Sequence, residues 1–425
     1  MNEQAPSVEQ RFESTPAALG SWSRQDTTWM LGLFGTAIGA GTLFLPINAG
    51  LGGFWPLLIL ALLAFPMTYY AHRGLTRFVL SGRDGGDITK VVEEHFGISA
   101  GSMITLLYFF AIFPILLIYS VALTNTVDSF MQHQLHIEPP PRALLSFLLI
   151  LGLLAIVRCG EQATVKVMSL LVYPFIIALA FLAVFLVPHW SGGILSTATQ
   201  VPPPSAFLHT LWLAIPVMVF SFNHSPIISA FAVDQKRRYG VHADERSGQI
   251  LSRAHLLMVA MVMFFVFSCV LTLTPAQLQE AKDQNLSILS YLANHFSNPT
   301  IAFAAPVIAF IAIAKSFLGH YIGASEGLKG LIMQAGMRPG AKTLDRITAG
   351  FMLLVCWAIA TINPSILGMI ETLGGPVIAA ILFLMPMYAI RKVPAMRKYS
   401  GQMSNVFVVA VGLVAISALV YSLLS

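Results

Sequence analysis

The chain has 425 residues, of which 56% are hydrophobic and only 10% are charged, and its mean hydropathy is +0.76. A soluble globular domain carries about 25% charged residues, so this composition excludes a water-soluble protein. Intrinsic disorder is excluded as well, because disordered chains are poor in large apolar residues and this one contains 29 phenylalanines. The composition predicts an all-α integral membrane protein whose outer surface contacts membrane lipids.

Eleven apolar segments are long enough to cross the membrane, some of them only with a break. They cover residues 28–50, 54–71, 101–130, 143–157, 163–187, 208–233, 254–274, 300–334, 346–362, 365–390 and 404–424. A helical span needs about 20 apolar residues, and the fourth segment is the shortest. Residues 1–27 are polar and lack the basic start and short apolar core of a signal peptide. We therefore expect them to form an uncleaved cytoplasmic N-terminal tail.

Lysine and arginine are distributed very unevenly along this topology. Of the 24 basic residues, 19 lie in the tail and in loops on the same side, 2 lie on the opposite side and 3 lie inside spans. Basic loops remain in the cytoplasm, so the N-terminus is expected in the cytoplasm and the C-terminus, after eleven spans, outside. Because the basic residues are spread over short loops, no nucleic acid partner is expected.

Two spans contain residues that interrupt a helix. In the first span, Gly39 and Gly41 lie at mid-membrane and Pro46 follows a turn later; in the sixth, polar residues 221–225 precede Pro226. Proline has no N–H to donate and disfavours a helical conformation in the residue before it. Unpaired backbone at membrane depth is tolerated only where it lines a cavity or is buried in protein. Either break alone could also serve close helix packing.

The interrupted spans occupy corresponding positions if spans 1–5 and spans 6–10 are two repeats. Because five is odd, the second repeat would start on the opposite side of the membrane, which makes the repeats inverted. We expect a transporter core of ten helices over 28–390, with repeat one at 28–187 and repeat two at 208–390, and an eleventh helix at 404–424. Matched breaks in two repeats are the best sequence indication of a transporter's binding site.

The chemistry of these breaks suits a zwitterion. Free N–H groups at the start of the outer half of the first span form the positive end of a helix dipole, which favours a carboxylate. Unwound carbonyls can accept from an ammonium group, and side chains of the sixth span could contact the rest of the substrate. The predicted substrate-binding residues are Thr36, Ala37, Ile38, Gly39, Ala40, Gly41, Thr42, Phe220, Ser221, Phe222, Asn223 and His224.

Ionisable side chains inside the bilayer are costly and are functional candidates by default. Lys315 lies near the middle of span 8, and Glu326 lies on the same face about three turns nearer the cytoplasm. His320 follows one turn after Ser316, and Glu371 lies about two turns into span 10. Structural alternatives remain open for each: a solvated helix end for Glu326, a packing network for His320 and a buried salt bridge for Glu371.

Four runs of sequence resemble the hydroxy/aromatic amino acid permease family, and within it the bacterial serine permease branch. They are Thr36–Gly50, Phe220–Ile228, Lys315–Tyr321 and Asn363–Pro376. The resemblance is specific, since Ser-Phe-Asn-His-Ser-Pro in the second run and Glu-Thr-Leu-Gly-Gly-Pro in the fourth are long and unusual strings. It extends from about residue 29 to the C-terminus.

The resemblance implies a LeuT-like 5+5 inverted repeat with broken helices 1 and 6 and an additional eleventh transmembrane helix. It also implies a multi-pass protein of the bacterial inner membrane, with a periplasmic C-terminus. The implied activity is proton-coupled uptake of L-serine by alternating access, so L-serine and protons would be the transported species.

The coupling and gating residues are expected from the same resemblance. In LeuT-like carriers a sodium ion often lies between spans 1 and 8, and Lys315 occupies that region of span 8 here. Our hypothesis is that its ammonium group, beside Ser316, replaces the sodium ion and that its deprotonation couples transport to protons; His224 is the alternative proton site. Glu371, Glu326 and His320 are the expected gating residues.

Other functions stay open at this stage. The substrate could be threonine or an aromatic amino acid, and the coupling ion could be sodium. An integral-membrane enzyme would need a catalytic cluster near one surface, but the sequence has no His-rich box, no Gly-x-Ser-x-Gly with partners and no Walker segment. A channel would more often be a smaller oligomeric unit without matched broken helices. We expect no enzyme activity, no cofactor, no metal and no obligate protein partner.

Overall fold

The computed structural model describes residues 20–83, 86–159, 161–199, 202–296 and 298–424, so most of the predicted tail lies outside the described residues. The described chain is helical, with short 3-10 segments and turns and no strand. The α-helices are α1 (Arg24–Ala37), α2 (Ala40–Leu51), α3 (Phe54–Leu80), α4 (Ile88–His133), α5 (Arg142–Arg158), α6 (Glu161–Leu186), α7 (Pro204–Ser221), α8 (Ser225–Tyr239), α9 (Ala243–Thr272), α10 (Pro275–Asp283), α11 (Ile288–His295), α12 (Pro299–Gln334), α13 (Ala341–Ile362), α14 (Ile366–Lys392, including two π-helical turns) and α15 (Met403–Leu424).

The helices are long and apolar enough for a multi-pass membrane protein. Within the described ranges, eight helical stretches could cross a membrane, and the bent pair α1–α2 makes a ninth. Two further predicted segments are also helical but shorter: α5 has 17 residues, and the apolar part of α15 spans Met403–Ala418. The all-helical membrane fold is therefore confirmed, whereas the repeat boundaries at 28–187 and 208–390 stay predictions.

The first span is broken where the glycines predict it. Helix α1 ends at Ala37, α2 begins at Ala40, and the two axes differ by 56°. A Cβ on Gly39 would lie 2.5 Å from Ser316 Oγ, and one on Gly41 would lie 2.8 Å from the Cα of Ser221. Glycine is therefore required here, because neighbouring helices approach too closely for a side chain.

The sixth span is broken between α7 and α8. Residues 222–224 lie outside both helices, and α8 begins with Pro226 in its first turn, where the missing N–H costs no hydrogen bond. The side-chain oxygen of Asn223 accepts from the N–H of Ser225 at 3.1 Å. The hydroxyl of Ser221 donates to the carbonyl of Val217 at 2.7 Å. The polar side chains thus satisfy part of the backbone that the break exposes.

The two breaks meet in the interior because the helices that carry them pack together. Helix α2 packs against α7, and the hydroxyl of Thr42 donates to the carbonyl of Ser221 at 3.4 Å. Helix α12 packs along α4 and also contacts α1. Its residue Ser316 donates to the carbonyl of Ile38 in the first break at 2.9 Å. The two breaks and the middle of α12 therefore meet in the interior of the molecule.

Ion pairs join the helix ends on the side of the molecule that holds the arginine- and lysine-rich loops, hereafter the basic side. Arg77 at the end of α3 contacts Asp244 at the start of α9, with Nε and Oδ1 3.0 Å apart. Lys236 near the end of α8 donates to the carbonyls of Leu80 and Gly82, which caps the C-terminus of α3. These contacts fix the ends of α3, α8 and α9 relative to one another.

On the opposite side, Asn285 connects the segment between α10 and α11 to the rest of the fold. Its side chain donates to the carbonyl of Pro364 at 2.9 Å and accepts from the N–H of Ile366 at 2.8 Å. Its own carbonyl accepts from the side chain of Asn125 on α4 at 2.9 Å. The short helices α10 and α11 are thereby held across this end of the bundle.

The three cysteines differ in exposure, which gives a direct test of this packing and of the predicted orientation. Cys159 is exposed after α5, whereas Cys269 and Cys356 are buried. We expect a membrane-impermeant maleimide to label the native protein once and the denatured protein three times. Because Cys159 lies in a loop predicted to be cytoplasmic, labelling should require inverted vesicles, as followed by mass spectrometry.

A Cys159→Ser variant is the control for that experiment, and its native form should remain unlabelled. Labelling of Cys269 or Cys356 in the native protein would contradict the packing of α9 or α13. Labelling of Cys159 from right-side-out vesicles would contradict the orientation drawn from the basic loops.

Candidate functional site

The break in the first span presents backbone hydrogen-bond donors at the start of α2. The first helical bond of α2 runs from the N–H of Leu43 to the carbonyl of Gly39 at 3.3 Å. The N–H groups of Ala40, Gly41 and Thr42 therefore precede the regular ladder. Together with the positive end of the helix dipole they form a site suited to an anion such as a carboxylate.

Aromatic side chains surround this point. Tyr119 of α4 is buried, and its hydroxyl lies 2.9 Å from where a Cβ of Gly39 would be. Its ring lies 6.4 Å from that of Phe220 and 5.1 Å from that of His320, between ring centroids. Phe220 in turn packs so closely on Gly374 of α14 that a Cβ there would lie 2.7 Å from its ring. Tyr119 was missed in the sequence because an isolated tyrosine in an apolar span gives no signal.

The polar residues of the sixth break have different surroundings. Asn223 is buried and its side-chain nitrogen has no hydrogen-bond partner among the described residues, which leaves a free donor beside the break. The ring of His224 packs against His72 of α3 and His255 of α9. Of the residues predicted from this run, Asn223 therefore retains an unused hydrogen-bonding group, and His224 belongs to a cluster of histidines.

Lys315 lies deep in the molecule, as its position in the sequence predicts. Its side chain is fully buried, and its Nζ has no hydrogen-bond partner within the described parts of the chain. The Nζ lies 4.5 Å from the ring centroid of Phe175 on α6, a cation–π distance. A cavity of about 300 Å³ between α1, α6, α8 and α12 extends from Gln25 to Lys315. The ammonium group thus has a route towards the basic side.

Glu371 contacts the outer half of the broken first span. The side-chain nitrogen of Asn48 on α2 donates to Glu371 Oε1 at 3.0 Å. Glu371 lies in the π-helical turn Ile370–Gly374, a type of distortion often found at functional sites. The bond joins α2 to α14 near the end opposite the basic side.

A second set of contacts joins the start of α1 to α8 and α9 on the basic side, and it was only weakly indicated by the sequence. Asp26 is fully buried, accepts from the hydroxyl of Tyr239 at 2.8 Å and lies 3.7 Å from Arg246 Nη1. Trp29 donates through Nε1 to Asp234 Oδ2 at 2.6 Å. The sequence signal at Asp26 is its position three residues after Ser23, because this spacing is that of a capping box at the start of a helix.

The remaining predicted gating residues lie in two separate places. Glu326 hydrogen-bonds with Asp87, the N-cap of α4 on the basic side. Burial opposes ionisation of Asp87, but hydrogen bonds from Glu326, the N–H of Lys90 and Thr89 outweigh it and hold the pKa of Asp87 below its ordinary value. His320 is buried beside Tyr119 and bonds to the carbonyl of Ser316 at 2.8 Å. It therefore adjoins the site itself rather than either end.

A helical membrane protein in which two broken helices meet at one buried site has the architecture of a LeuT-like transporter. The solved structure of MhsT in complex with L-phenylalanine has this fold. It superimposes on the chain with a TM-score of 0.55 at 16% sequence identity, covering 95% of this chain and 98% of that one.

The profile of the tryptophan/tyrosine permease family matches residues 28–424, and the chain belongs to that family. The serine transporter SdaC of Escherichia coli K12 is 65% identical over 413 residues, which cover 95% of this chain and 96% of SdaC. SdaC of Shigella flexneri is 64% identical over the same coverage. The resemblance drawn from the four sequence runs is thereby confirmed.

Proposed function

We propose that the protein is a secondary active transporter, not an enzyme, that takes up L-serine together with protons across the bacterial inner membrane by alternating access. The observation that carries this proposal is the 65% identity to a serine transporter over nearly the whole of both chains. At that identity and coverage the binding site is expected to be shared, and its geometry here suits a small amino acid zwitterion.

The substrate carboxylate is proposed to bind the N–H groups of Ala40, Gly41 and Thr42 at the positive end of α2. The ammonium group would bind carbonyls of the two breaks, where Ile38 is already an acceptor for Ser316. The free side-chain nitrogen of Asn223 supplies the donor that a serine hydroxyl needs. A buried donor without a partner is costly, so a substrate that satisfies it is favoured over one that does not.

An aromatic substrate is the alternative that the family and the ligand of MhsT suggest. Tyr119 and Phe220 already occupy the space beside the first break, and Gly374 permits Phe220 to lie there. An indole or phenol side chain would have to displace one of these rings. The geometry therefore favours serine, with threonine, one methyl group larger, as the nearest competitor.

Lys315 is proposed to carry the coupling charge. An unpaired ammonium group in the protein interior is strongly disfavoured, so its protonation should depend on whether water or the substrate-loaded site stabilises it. The cavity from Gln25 to Lys315 offers a path for the proton on the basic side. The next residue, Ser316, donates to the carbonyl of Ile38. A change in the protonation of Lys315 can therefore affect the break in the first span through this adjacent residue.

Alternating access requires gates on both sides of this site. The contact between Asn48 and Glu371 is proposed as part of the outer gate, and the contacts of Asp26 with Tyr239 and Arg246 as part of the inner gate. With both sets formed, the site is closed towards either side. The basic side is proposed to face the cytoplasm and the C-terminus the periplasm.

Uptake measurements test the substrate and the coupling ion together. In proteoliposomes, labelled L-serine should accumulate under an inwardly directed proton gradient and not under a sodium gradient alone. An uncoupler should abolish the accumulation because it dissipates the gradient. Uptake of tryptophan but not serine, or accumulation driven only by sodium, would contradict the proposal.

Replacement of Lys315 tests the coupling residue. We expect Lys315→Ala to exchange serine between equal concentrations on both sides but to lose accumulation driven by a proton gradient, because no charge then titrates beside the first break. Exposed Lys392 is the control, and Lys392→Ala should accumulate serine as the parent protein does. Retained dependence of Lys315→Ala on the pH gradient would contradict the assignment.

Replacement of Asn223 tests the recognition of the hydroxyl group. In Asn223→Ala the serine hydroxyl loses a hydrogen bond worth about 1 kcal/mol, so the KM for serine should rise roughly fivefold. L-Alanine has no hydroxyl and serves as the internal control, since its inhibition constant in competition assays should change little. An equal loss of apparent affinity for both amino acids would show that Asn223 supports the break and does not bind the substrate side chain.

A further inference from the structure

Three histidines from three different elements form a buried cluster on the basic-side flank of the sixth break. His72 lies on α3, His224 in the break itself and His255 on α9, and each is at most 1% exposed. The rings of His72 and His224 are stacked, with centroids 3.6 Å apart and planes inclined by 5°. The ring of His255 lies 4.9 Å from that of His224 and 5.2 Å from that of His72.

Hydrogen bonds to the backbone determine which nitrogen of each ring carries a hydrogen. The Nδ1 atoms of the three rings lie 2.8 Å from the carbonyl of Thr68, 3.1 Å from that of Phe222 and 2.7 Å from that of Leu251, in chain order. A carbonyl oxygen can only accept, so each Nδ1 must be the donor. In a neutral imidazole the other nitrogen, Nε2, then carries a lone pair.

The three Nε2 atoms have different partners. His72 Nε2 accepts from the backbone N–H of His224 at 3.3 Å. The Nε2 atoms of His224 and His255 are buried and have no partner in the described parts of the chain. One ring nitrogen from each of the three histidines lies within 4.8 Å of the others. Two buried lone pairs without partners thus belong to neighbouring rings of the interior, where unsatisfied acceptors are costly.

A proton fits this arrangement better than a metal ion does. A metal lies in the plane of each imidazole that binds it, but the stacked planes of His72 and His224 run side by side. The lone pair of His72 is already used by a backbone N–H. Among the described residues, no ion pair or hydrogen bond joins an acidic side chain to the cluster, so a divalent charge would be uncompensated. A single proton needs only one of two adjacent lone pairs.

We propose that His224 and His255 take up one exchangeable proton, carried by the Nε2 of one ring or the other, with His72 as the neutral acceptor that positions His224. The inference deepens the proposed proton-coupled transport and rests on it for its role in the cycle. His224 directly follows Asn223, and its backbone N–H is held by α3. Movement of α8 relative to α3 and α9 would separate the two lone pairs, so occupancy by the proton is linked to the conformation of the break.

The charged groups on the packed elements leave this pair isolated. On α3, Tyr69 lies 6.0 Å from His255 between ring centroids, and Arg73 lies over the Tyr69 ring at 5.8 Å. On α9, Arg253 is two residues from His255 in sequence, and its guanidinium group lies over the Trp22 ring at 4.0 Å from the centroid. Arg246 is nine residues from His255, about 13 Å along the helix, and it is paired with Asp26 of α1.

The charged side chains of the other neighbouring helices make contacts elsewhere in the described part of the chain. The charged residues of α8, Asp234, Lys236, Arg237 and Arg238, lie in its second half, and Asp234 bonds to Trp29 of α1. Lys315 of α12 faces Phe175 of α6, and His320 of α12 faces Tyr119 of α4. Helix α2 contains no ionisable side chain. The histidine pair and Lys315 are therefore two separate proton sites.

The protonation of the cluster can be observed directly by solid-state NMR of the full-length protein in liposomes, with nitrogen-15 in its histidines. At alkaline pH the three rings should show a protonated Nδ1 and an unprotonated Nε2. Between about pH 8 and 5, His224 and His255 should titrate together while His72 stays neutral. His255→Gln should remove one signal and alter the titration of the other.

The matched control is His133→Gln. His133 lies near the opposite end of α4 and has the same bond from Nδ1 to the carbonyl four residues earlier, at 3.0 Å. Its replacement should leave the coupled titration unchanged. The proposal is overturned if neither His224 nor His255 gains a proton, or if each titrates independently of the other. Binding of one Zn²⁺ per chain that requires His255 and displaces the Nε2 protons would assign the cluster to a metal instead.

Serine exchange at equal pH on both sides tests the link to transport. The rate should depend on pH in the parent protein and in His133→Gln, and His255→Gln should have an altered pH profile in which only the contribution of Lys315 remains. An unchanged pH profile in His255→Gln would contradict the role in transport. The two proposals fail separately: proton-driven uptake without titration of the pair overturns only this inference, whereas titration without proton-driven uptake overturns the coupling mechanism.

Discussion

The structure depends on one constraint, which is that every backbone polar group inside a membrane needs a partner. Two spans interrupt the continuous ladder of helical hydrogen bonds at mid-depth, and neighbouring residues supply hydrogen bonds at each interruption. Ser316 donates to the carbonyl of Ile38, and Asn223 accepts from the N–H of Ser225. The N–H groups at the start of α2 remain outside this ladder. Because lipid cannot satisfy them, a polar substrate is the partner that we propose for them, and the proposed binding site therefore lies where the helices break.

The same constraint explains why the glycines lie where they do. Ser316 and Ser221 reach the first break only because residues 39 and 41 have no side chain. The partners that stabilise the broken backbone are thus also the elements that must move when the site opens. The buried Lys315 is also close to this break, because the next residue, Ser316, donates a hydrogen bond to the carbonyl of Ile38. The proposed substrate site and the proposed coupling residue therefore adjoin the same segment of backbone.

The contacts at the two ends of the bundle hold different halves of the first span. Asn48 and Glu371 join α2 to α14, whereas Asp26 joins α1 to α9 through Arg246. Since α1 and α2 meet at a 56° bend, the two halves of the first span can be held or released separately. The histidine cluster adds a third connection, from the sixth break to α3 and α9, and its strength depends on a proton.

The sequence by itself determined the membrane class, the positions of both breaks, the buried lysine in span 8 and the family. Those features depend on composition and on local chemistry, since glycine and proline interrupt a helix wherever they occur. Only the tertiary structure decided that Tyr119 lies at the first break, that Asp26 is paired with Arg246 and that His72 and His255 meet His224. These contacts join residues up to 220 positions apart, and an apolar span offers no periodic pattern that reports which side chain faces which neighbour.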